Sequence, residues 1–220
     1  MLLALVALAA SVSAQFCHPI PSPDSNGAQV PVSNGFLVAA DLVHKPHFGA
    51  THLRTLAARD GQLAIDSRSP ADISHHGSRF QILHCDVSPS LYAGPSPFST
   101  DDQRAGLLAT GDNCLTVKDR AVSLEPCASS PDAVAPQWFH FDGQFVVYAG
   151  DANATAAAAT LKDDHVESLS EPKSHTYTVL ALRDAPAGSA PHDMIDGPDM
   201  AVHQSSATAL RPYSLLALFT

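Results

Sequence analysis

The stretch from Asp112 to Gly143, DNCLTVKDRAVSLEPCASSPDAVAPQWFHFDG, contains the residues that decide the fold. Two cysteines enclose two short runs in which apolar and polar residues alternate, and the triplet Lys-Asp-Arg separates the runs. Alternation with a period of two predicts strands that are buried on one face. Turn residues between two such runs predict an antiparallel hairpin.

The same pattern continues along most of the chain. Between Phe36 and Asp184, apolar runs of strand length alternate with turn residues about twelve times. Asp60-Gly61 and Asp142-Gly143 are dipeptides that favour tight hairpins. The sequence therefore predicts an all-β domain over 35–184, either a sandwich or a barrel. The alanine-rich run 153–164 is predicted to be a loop or a single loose turn, because it lacks an apolar face at helical spacing.

Both ends of the chain differ from this pattern. An uncharged apolar run followed by small residues at Ser11, Ser13 and Ala14 is typical of a secretory signal peptide, which we predict over 1–14. The run is too short to span a bilayer as a helix, so no membrane span is predicted. Residues 15–34 are rich in Pro and Ser and are predicted to form an extended arm. Residues 185–220 lack periodicity and are predicted to form a flexible tail.

The charge balance limits the partners of the protein. Twelve Lys and Arg stand against 22 Asp and Glu, which gives a formal net charge of −10. Nucleic acids and anionic membranes attract basic faces, so binding to either is not expected. Twelve histidines make the net charge sensitive to mildly acidic pH.

The cysteine count favours an oxidising compartment. Four cysteines after a signal peptide indicate two disulfides. Cys114 and Cys127 lie on adjacent strand-like runs and are expected to pair, which leaves Cys17 and Cys85 to tie the arm to the domain. A metal site is the alternative, but no Cys-x-x-Cys spacing supports it. Asn153 begins an Asn-Ala-Thr triplet, which is an acceptor motif for N-glycosylation.

The opening stretch resembles one repeat of a ricin-B-type β-trefoil. In that family a Cys-Leu strand, a second Cys, a Gln-x-Trp motif and a DG-like turn follow one another. The resemblance implies a β-trefoil-like fold of about twelve strands, and it places Trp138 and Phe141 in the structural core. It rests on Cys114, Leu115, Val117, Val122, Leu124, Cys127, Gln137, Trp138, Phe141 and Gly143, which cover about one repeat of three.

The stretch departs from the sugar-binding repeats of that family in three ways. Those repeats carry an Asp two residues after the first Cys, where this chain has Thr116. The interval between the cysteines is also shorter, and Gln137 stands directly before Trp138 rather than two residues before it. The resemblance therefore implies a scaffold that lacks the sugar-binding residues of this repeat. It assigns no ligand-binding residue.

A second part of the chain is similar to small secreted fungal cell-wall proteins. There a leading strand with an F-x-L-x-A pattern precedes a hairpin that contains a His-Leu pair and a Gly. Both resemblances imply a secreted, all-β, non-catalytic protein. The matching residues are Phe36, Ala39, His52, Leu53, Leu56, Ala58, Gly61, Leu63 and Ile65.

No motif in the sequence indicates catalysis. His44, His47, His75 and His76 occur in pairs, whereas a catalytic zinc requires three protein ligands, so these are interpreted as solvated loop histidines. A Gly-x-Ser-x-Gly motif and a distinct carboxylate pair are both missing from the sequence. We therefore predict that the protein is not an enzyme and uses no metal or cofactor.

Three hypotheses for the function follow. The first is a secreted, non-catalytic protein of the extracellular space or cell wall, on a ricin-B-like scaffold without the sugar-binding residues of the readable repeat. The second is a carbohydrate-binding module that recognises cell-wall or host glycans, with Tyr92 or Tyr148 as an aromatic platform. The third is a secreted effector that binds a host protein. The partners that the first two imply are cell-wall polymers or glycans.

Overall fold

The computed structural model describes residues 16–19, 33–43, 49–86, 103–151, 155–174 and 176–189. This part of the chain is all-β: it has thirteen strands in one antiparallel sheet, one short α-helix and two 3₁₀ turns. The strands are β1 (Cys17–Pro19), β2 (Asn34–Val43), β3 (Gly49–Arg59), β4 (Gln62–Ile65), β5 (Phe80–Cys85), β6 (Gln103–Thr110), β7 (Asn113–Lys118), β8 (Ala121–Pro126), β9 (Phe139–Asp142), β10 (Phe145–Tyr148), β11 (Ala158–Lys162), β12 (His165–Ser170) and β13 (Thr176–Arg183).

Six of the described strands pair in a closed ring. The order is β2, β5, β6, β9, β10 and β13, and every pair in it is antiparallel. The ring closes where β13 pairs with β2, from Thr176 opposite Val43 to Arg183 opposite Phe36. Strands far apart in the chain thereby satisfy each other's backbone groups, and closure leaves no free edge between them.

The other strands after β1 form three hairpins, β3–β4, β7–β8 and β11–β12. Each hairpin has a two-residue turn whose first residue is an Asp with a positive φ, at 50° for Asp60, 50° for Asp119 and 53° for Asp163. Asp tolerates this left-handed conformation better than most residues. The chain therefore repeats one turn device three times, and a basic residue precedes the Asp each time, in Arg59-Asp60, Lys118-Asp119 and Lys162-Asp163.

Three backbone hydrogen bonds connect these hairpins in a cycle. The Leu124 amide donates to the Gly61 carbonyl at 2.7 Å, so that β8 is joined to the β3–β4 turn. The Leu169 amide donates to the Arg120 carbonyl at 2.9 Å, and the Ile65 amide donates to the Asp164 carbonyl at 2.5 Å. Each turn thus accepts a bond from a strand of the next hairpin, and we name this arrangement the hairpin cycle.

The main core lies between the ring and the hairpins. Strands of the ring alternate between two faces: Leu37, Leu180 and Val146 join the main core. Val38, Ala181 and other residues of the same strands form a second buried cluster on the opposite face. Because successive side chains of a strand point to opposite faces, β2, β10 and β13 are apolar on both.

The structure contains both expected disulfides. Cys17–Cys85 joins β1 to β5, where the two cysteines are directly opposite each other in the strand register. Cys114–Cys127 joins the start of β7 to the residue that follows β8. The arm predicted over 15–34 therefore contributes a strand to the sheet, and its last residue, Asn34, begins β2.

The single described helix, α1 (Pro70–His76), was not predicted. Its start nevertheless carries a recognisable signal, because Ser69 is the N-cap, Pro70 is in the first turn and Asp72 follows. The Ser69 hydroxyl accepts a hydrogen bond from the Asp72 amide at 3.3 Å and donates one to its carboxylate at 2.6 Å. One residue, Ile73, anchors the helix in the protein interior.

The interpretation of the alanine-rich run 153–164 was wrong in part. Residues Ala158–Lys162 form β11, which pairs with β12 and β13. Ala157 and Ala159 are buried, so small side chains suit the close packing at this position. Tertiary pairing has overridden the low strand propensity of alanine. Asn153 lies outside the described residues.

The domain extends past the predicted boundary at Asp184. Pro186 is buried, and the Ala187 amide donates a hydrogen bond to the Thr55 hydroxyl of β3 at 2.8 Å. Residues up to Ser189 therefore belong to the folded body, whereas 190–220 lie outside the described residues.

One buried carboxylate joins the β3–β4 hairpin to α1. Asp66 follows β4, its side chain is 1% exposed, and it accepts two side-chain hydrogen bonds from Arg68, at 2.6 and 2.9 Å. Arg68 also donates to the carbonyl of His76 at the end of α1. The Arg68 side-chain bonds hold the pKa of the Asp66 carboxyl below its usual value, against the opposing effect of burial.

We expect this group to make stability depend on pH in the acid range. Because the pKa of Asp66 is lower in the folded state, its contribution is present above the ordinary Asp value of about 3.9 and is lost as the pH falls through the folded value. Melting temperatures from pH 7 to pH 2 would show Asp66→Asn below wild type at pH 7 and equal to it in strong acid. A difference that persists unchanged at pH 2 would contradict this role.

Gly106 allows β5 and β6 to approach closely. A Cβ atom at this position would lie 2.0 Å from the Leu83 carbonyl oxygen. We expect Gly106→Ala to lower the free energy of unfolding by about 3 kcal/mol, since two paired strands would have to separate. Gly111→Ala is the control: it has open space around the added carbon, and its φ of 59° costs about 1–2 kcal/mol. Urea denaturation compares the two variants, and equal losses would refute the steric account.

Candidate functional site

The stretch from Asp112 to Gly143 packs against a third buried cluster. Both disulfides and Trp138 belong to it, together with Leu83, Leu107 and other residues of β5 and β6. Trp138 is 6% exposed, and Phe141 is fully buried in the main core. This cluster covers the face of β5 and β6 that is opposite the main core, and both disulfides lie on that face.

Thr116 is the residue at which the resemblance to sugar-binding repeats would require an Asp. The side chain points inward and is 1% exposed. Its hydroxyl donates to the Cys114 carbonyl at 3.0 Å and accepts from the Gln137 amide nitrogen at 2.9 Å. The hydroxyl has therefore used its donor within the protein, and no ligand in solvent can reach it.

Gln137 has a structural role that the sequence reasoning missed. Its side-chain oxygen accepts from the Ala128 amide at 2.7 Å, and its nitrogen donates to the Pro126 carbonyl at 3.0 Å as well as to Thr116. These bonds fix the chain after β8 against the 3₁₀ turn that ends at Gln137. Gln137 stands one residue closer to Trp138 than in the Gln-x-Trp motif. Its side chain is nevertheless buried, because the 3₁₀ turn directs it inward.

A cleft of about 500 Å³ opens beside Tyr148. It lies between the β7–β8 turn, the chain that follows β10 and the chain that follows β12. Buried or half-buried side chains of Val117, Tyr148, Ala156 and Leu169 line its inner part. We name it the Tyr148 cleft. Two of the three elements around it belong to neighbouring hairpins of the hairpin cycle.

Tyr148 is held firmly in this cleft. Its ring packs edge to face on Phe139 with centroids 5.7 Å apart, and its backbone exchanges hydrogen bonds with Ala156 at 2.9 and 3.0 Å. Gly150 leaves room for the ring, because a Cβ there would come within 2.7 Å of the tyrosine hydroxyl and 1.7 Å of the Ala135 carbonyl oxygen. The aromatic side chain is therefore positioned before any ligand binds.

The electrostatics of the cleft are mixed. Burial, followed by the negative charge of Asp151, raises the pKa of the Tyr148 phenol, so at neutral pH it is a hydrogen-bond donor. Five charged residues also line the cleft, and all are exposed. Thr155 and Ser170 add hydroxyl groups. The charged residues are Asp119, Arg120, Asp151, Glu171 and Lys173.

Apart from Tyr148, the histidines and tyrosines singled out in the sequence do not converge on a site. His75 and His76 are exposed at the end of α1, with ring centroids 6.2 Å apart. His44, His47 and Tyr92 lie outside the described residues. Within the described ranges, no group of three or more His, Cys, Asp or Glu side chains is placed to hold a metal ion. None of the helices described there is long and apolar enough to cross a membrane.

Comparisons with protein-family models, with curated proteins and with solved structures found no match to this chain. The resemblance to ricin-B-type repeats therefore rests on the residues of the stretch from Asp112 to Gly143.

We expect Gln137→Ala to lower the free energy of unfolding by about 2–3 kcal/mol, because it leaves the Ala128 amide and the Pro126 carbonyl without their partner. Urea denaturation of the oxidised protein measures the effect. Gln62→Ala is the matched control, since Gln62 is an exposed residue of β4. Equal stability of the two variants would show that the Gln137 hydrogen bonds do not hold this loop.

Proposed function

We propose that the domain is a β-trefoil of the ricin-B type. A β-trefoil consists of a six-stranded barrel and three hairpins that close one of its ends. The closed ring of six strands, the three hairpins and the hairpin cycle support this proposal. So does the stretch from Asp112 to Gly143, in which the second hairpin is followed by a buried Trp and a strand of the ring.

On this scaffold we propose a secreted, non-catalytic protein of the extracellular space or cell wall. Two disulfides, which lie in or against one buried cluster, are compatible with an oxidising compartment. The apolar run ahead of the arm supports export. The function rests on the surface of a stable domain rather than on reactive side chains.

The observation that carries this proposal is the buried Thr116–Gln137 pair. A sugar site in this repeat would need a carboxylate that faces solvent. The hydroxyl of Thr116 is instead buried, where it donates to the Cys114 carbonyl and accepts from the Gln137 side chain. The pocket of the readable repeat is thus filled by the protein's own hydrogen bonds.

The Tyr148 cleft favours a second candidate function, the binding of a saccharide outside that pocket. A sugar ring presents a C–H face, which an aromatic ring can cover, and a rim of hydroxyls, which need both donors and acceptors. The cleft offers a fixed tyrosine with carboxylates, cations and hydroxyls around it. Three acidic and two basic residues nearly balance, which favours a neutral ligand over an ion.

A saccharide array probed with the disulfide-intact protein at pH 5 and pH 7 tests both functions. The main proposal predicts no retained saccharide. The second candidate predicts retention that falls at least tenfold in Tyr148→Ala, because the aromatic platform is removed. Tyr177→Phe is the control: Tyr177 is half-buried beside the second buried cluster and is not among the residues that line the cleft.

The outcomes separate the proposals. Retention that Tyr148→Ala abolishes would establish the cleft and replace the first function by the second. Retention that survives in Tyr148→Ala would refute both, since another repeat would then hold the pocket. A folded protein that retains nothing would support the extracellular, non-binding function.

A further inference from the structure

The β7–β8 turn carries an arginine where its backbone favours glycine. In the β3–β4 turn the second residue is Gly61, with a φ of 75°. The matching residue of the β7–β8 turn is Arg120, with a φ of 73°. Two-residue turns with both φ values positive strongly prefer Asp-Gly or Asn-Gly, because an L side chain in this conformation is strained. The first residue, Asp60 or Asp119, follows that preference in both turns.

Among the described residues, no partner of the Arg120 side chain explains this strain. The hairpin cycle uses only the carbonyl of Arg120, which accepts from Leu169 and which a glycine would supply equally well. Within the described part of the chain, the guanidinium makes no hydrogen bond and no ion pair. Lys118, two residues before Arg120, differs in this respect, because it pairs with Glu125 at 2.6 Å.

The location of Arg120 supplies a reason. It lines the Tyr148 cleft together with Leu169, the residue that it bonds in the hairpin cycle. Non-glycine residues in left-handed conformations concentrate at functional sites, where the side chain is retained despite its cost to the backbone. The guanidinium adds five donors in a fixed plane to a rim that is otherwise rich in acceptors.

We propose that Arg120 is a ligand-binding residue of the Tyr148 cleft, and that the β7–β8 turn keeps its strained backbone to present this side chain. The inference rests on the saccharide-binding function proposed for the cleft. It adds that the donors of Arg120 bind the hydroxyl rim of a neutral saccharide while Tyr148 covers its C–H face. Arg120 and Leu169, which form one hydrogen bond of the hairpin cycle, would then also line the binding site.

The test substitutes the second residue of the β7–β8 turn, Arg120, and the matching residue of the β3–β4 turn, Gly61. Arg120→Gly is expected to raise the melting temperature by a few degrees, because glycine adopts the φ of 73° without strain. The same variant is expected to bind the neutral oligosaccharides of the array at least tenfold more weakly. Arg120→Lys keeps the charge and the strain but loses the planar donors, and is expected to bind weakly without a gain in stability.

Gly61→Arg is the matched control. Its added Cβ would lie 3.7 Å from the Leu124 carbonyl oxygen, an ordinary contact, so only the φ of 75° is unfavourable. It is expected to lower the melting temperature and to leave saccharide binding unchanged, because Gly61 does not line the cleft.

Two results would overturn the proposal while leaving the cleft intact. One is Arg120→Gly that binds like wild type when Tyr148→Ala does not. The other is Arg120→Gly that is no more stable than wild type, which would mean that the turn is not strained. A wild-type protein that retains no oligosaccharide would overturn the saccharide function of the cleft and this inference with it, and a rise in the melting temperature of Arg120→Gly would still report the strain separately.

Discussion

The three backbone hydrogen bonds of the hairpin cycle are the constraint on which the rest of the structure depends. Each bond joins the turn of one hairpin to a strand of the next, so none of the three hairpins can move without breaking a bond to a neighbour. The cycle holds the hairpins over the main core, which lies between them and the closed ring of strands. A short two-stranded hairpin is marginal by itself, and here each gains its stability from the other two and from the ring.

The outside of the ring is stabilised differently from its inside. One outer cluster is purely apolar, whereas the other contains both disulfides and Trp138. The second outer cluster continues into the loop that Gln137 fixes, where a sugar-binding repeat would have its pocket. In this stretch the polar groups of Thr116 and Gln137 bind each other and the backbone, so the hydrogen bonds that fix the loop also keep these side chains buried.

The Tyr148 cleft brings together a half-buried aromatic ring, hydroxyl groups and exposed charged residues of both signs. It is placed at a joint of the hairpin cycle, between the turn that carries Arg120 and the end of the strand that carries Leu169. Gly150 and Phe139 hold the tyrosine in place, so the aromatic surface does not have to be ordered by a ligand. The turn beside it carries Arg120 at a φ of 73°, a conformation that favours glycine.

The sequence by itself determined the all-β class and most strand positions, because period-two alternation and Asp-Gly turns are local signals. It also determined the two disulfides: Cys114 and Cys127 lie on adjacent strand-like runs, and the count of four leaves Cys17 and Cys85 to pair although they are 68 residues apart. Ser69-Pro70 and the three basic-Asp turns were also visible in it, and reading them would have indicated α1 and the internal repetition. Only the tertiary structure decided the strand β11, the inward direction of Thr116 and Gln137, and the cleft at Tyr148. These depend on residues distant in the chain: an alanine run becomes a strand when β12 and β13 pair with it, and a cleft exists only where separate hairpins meet.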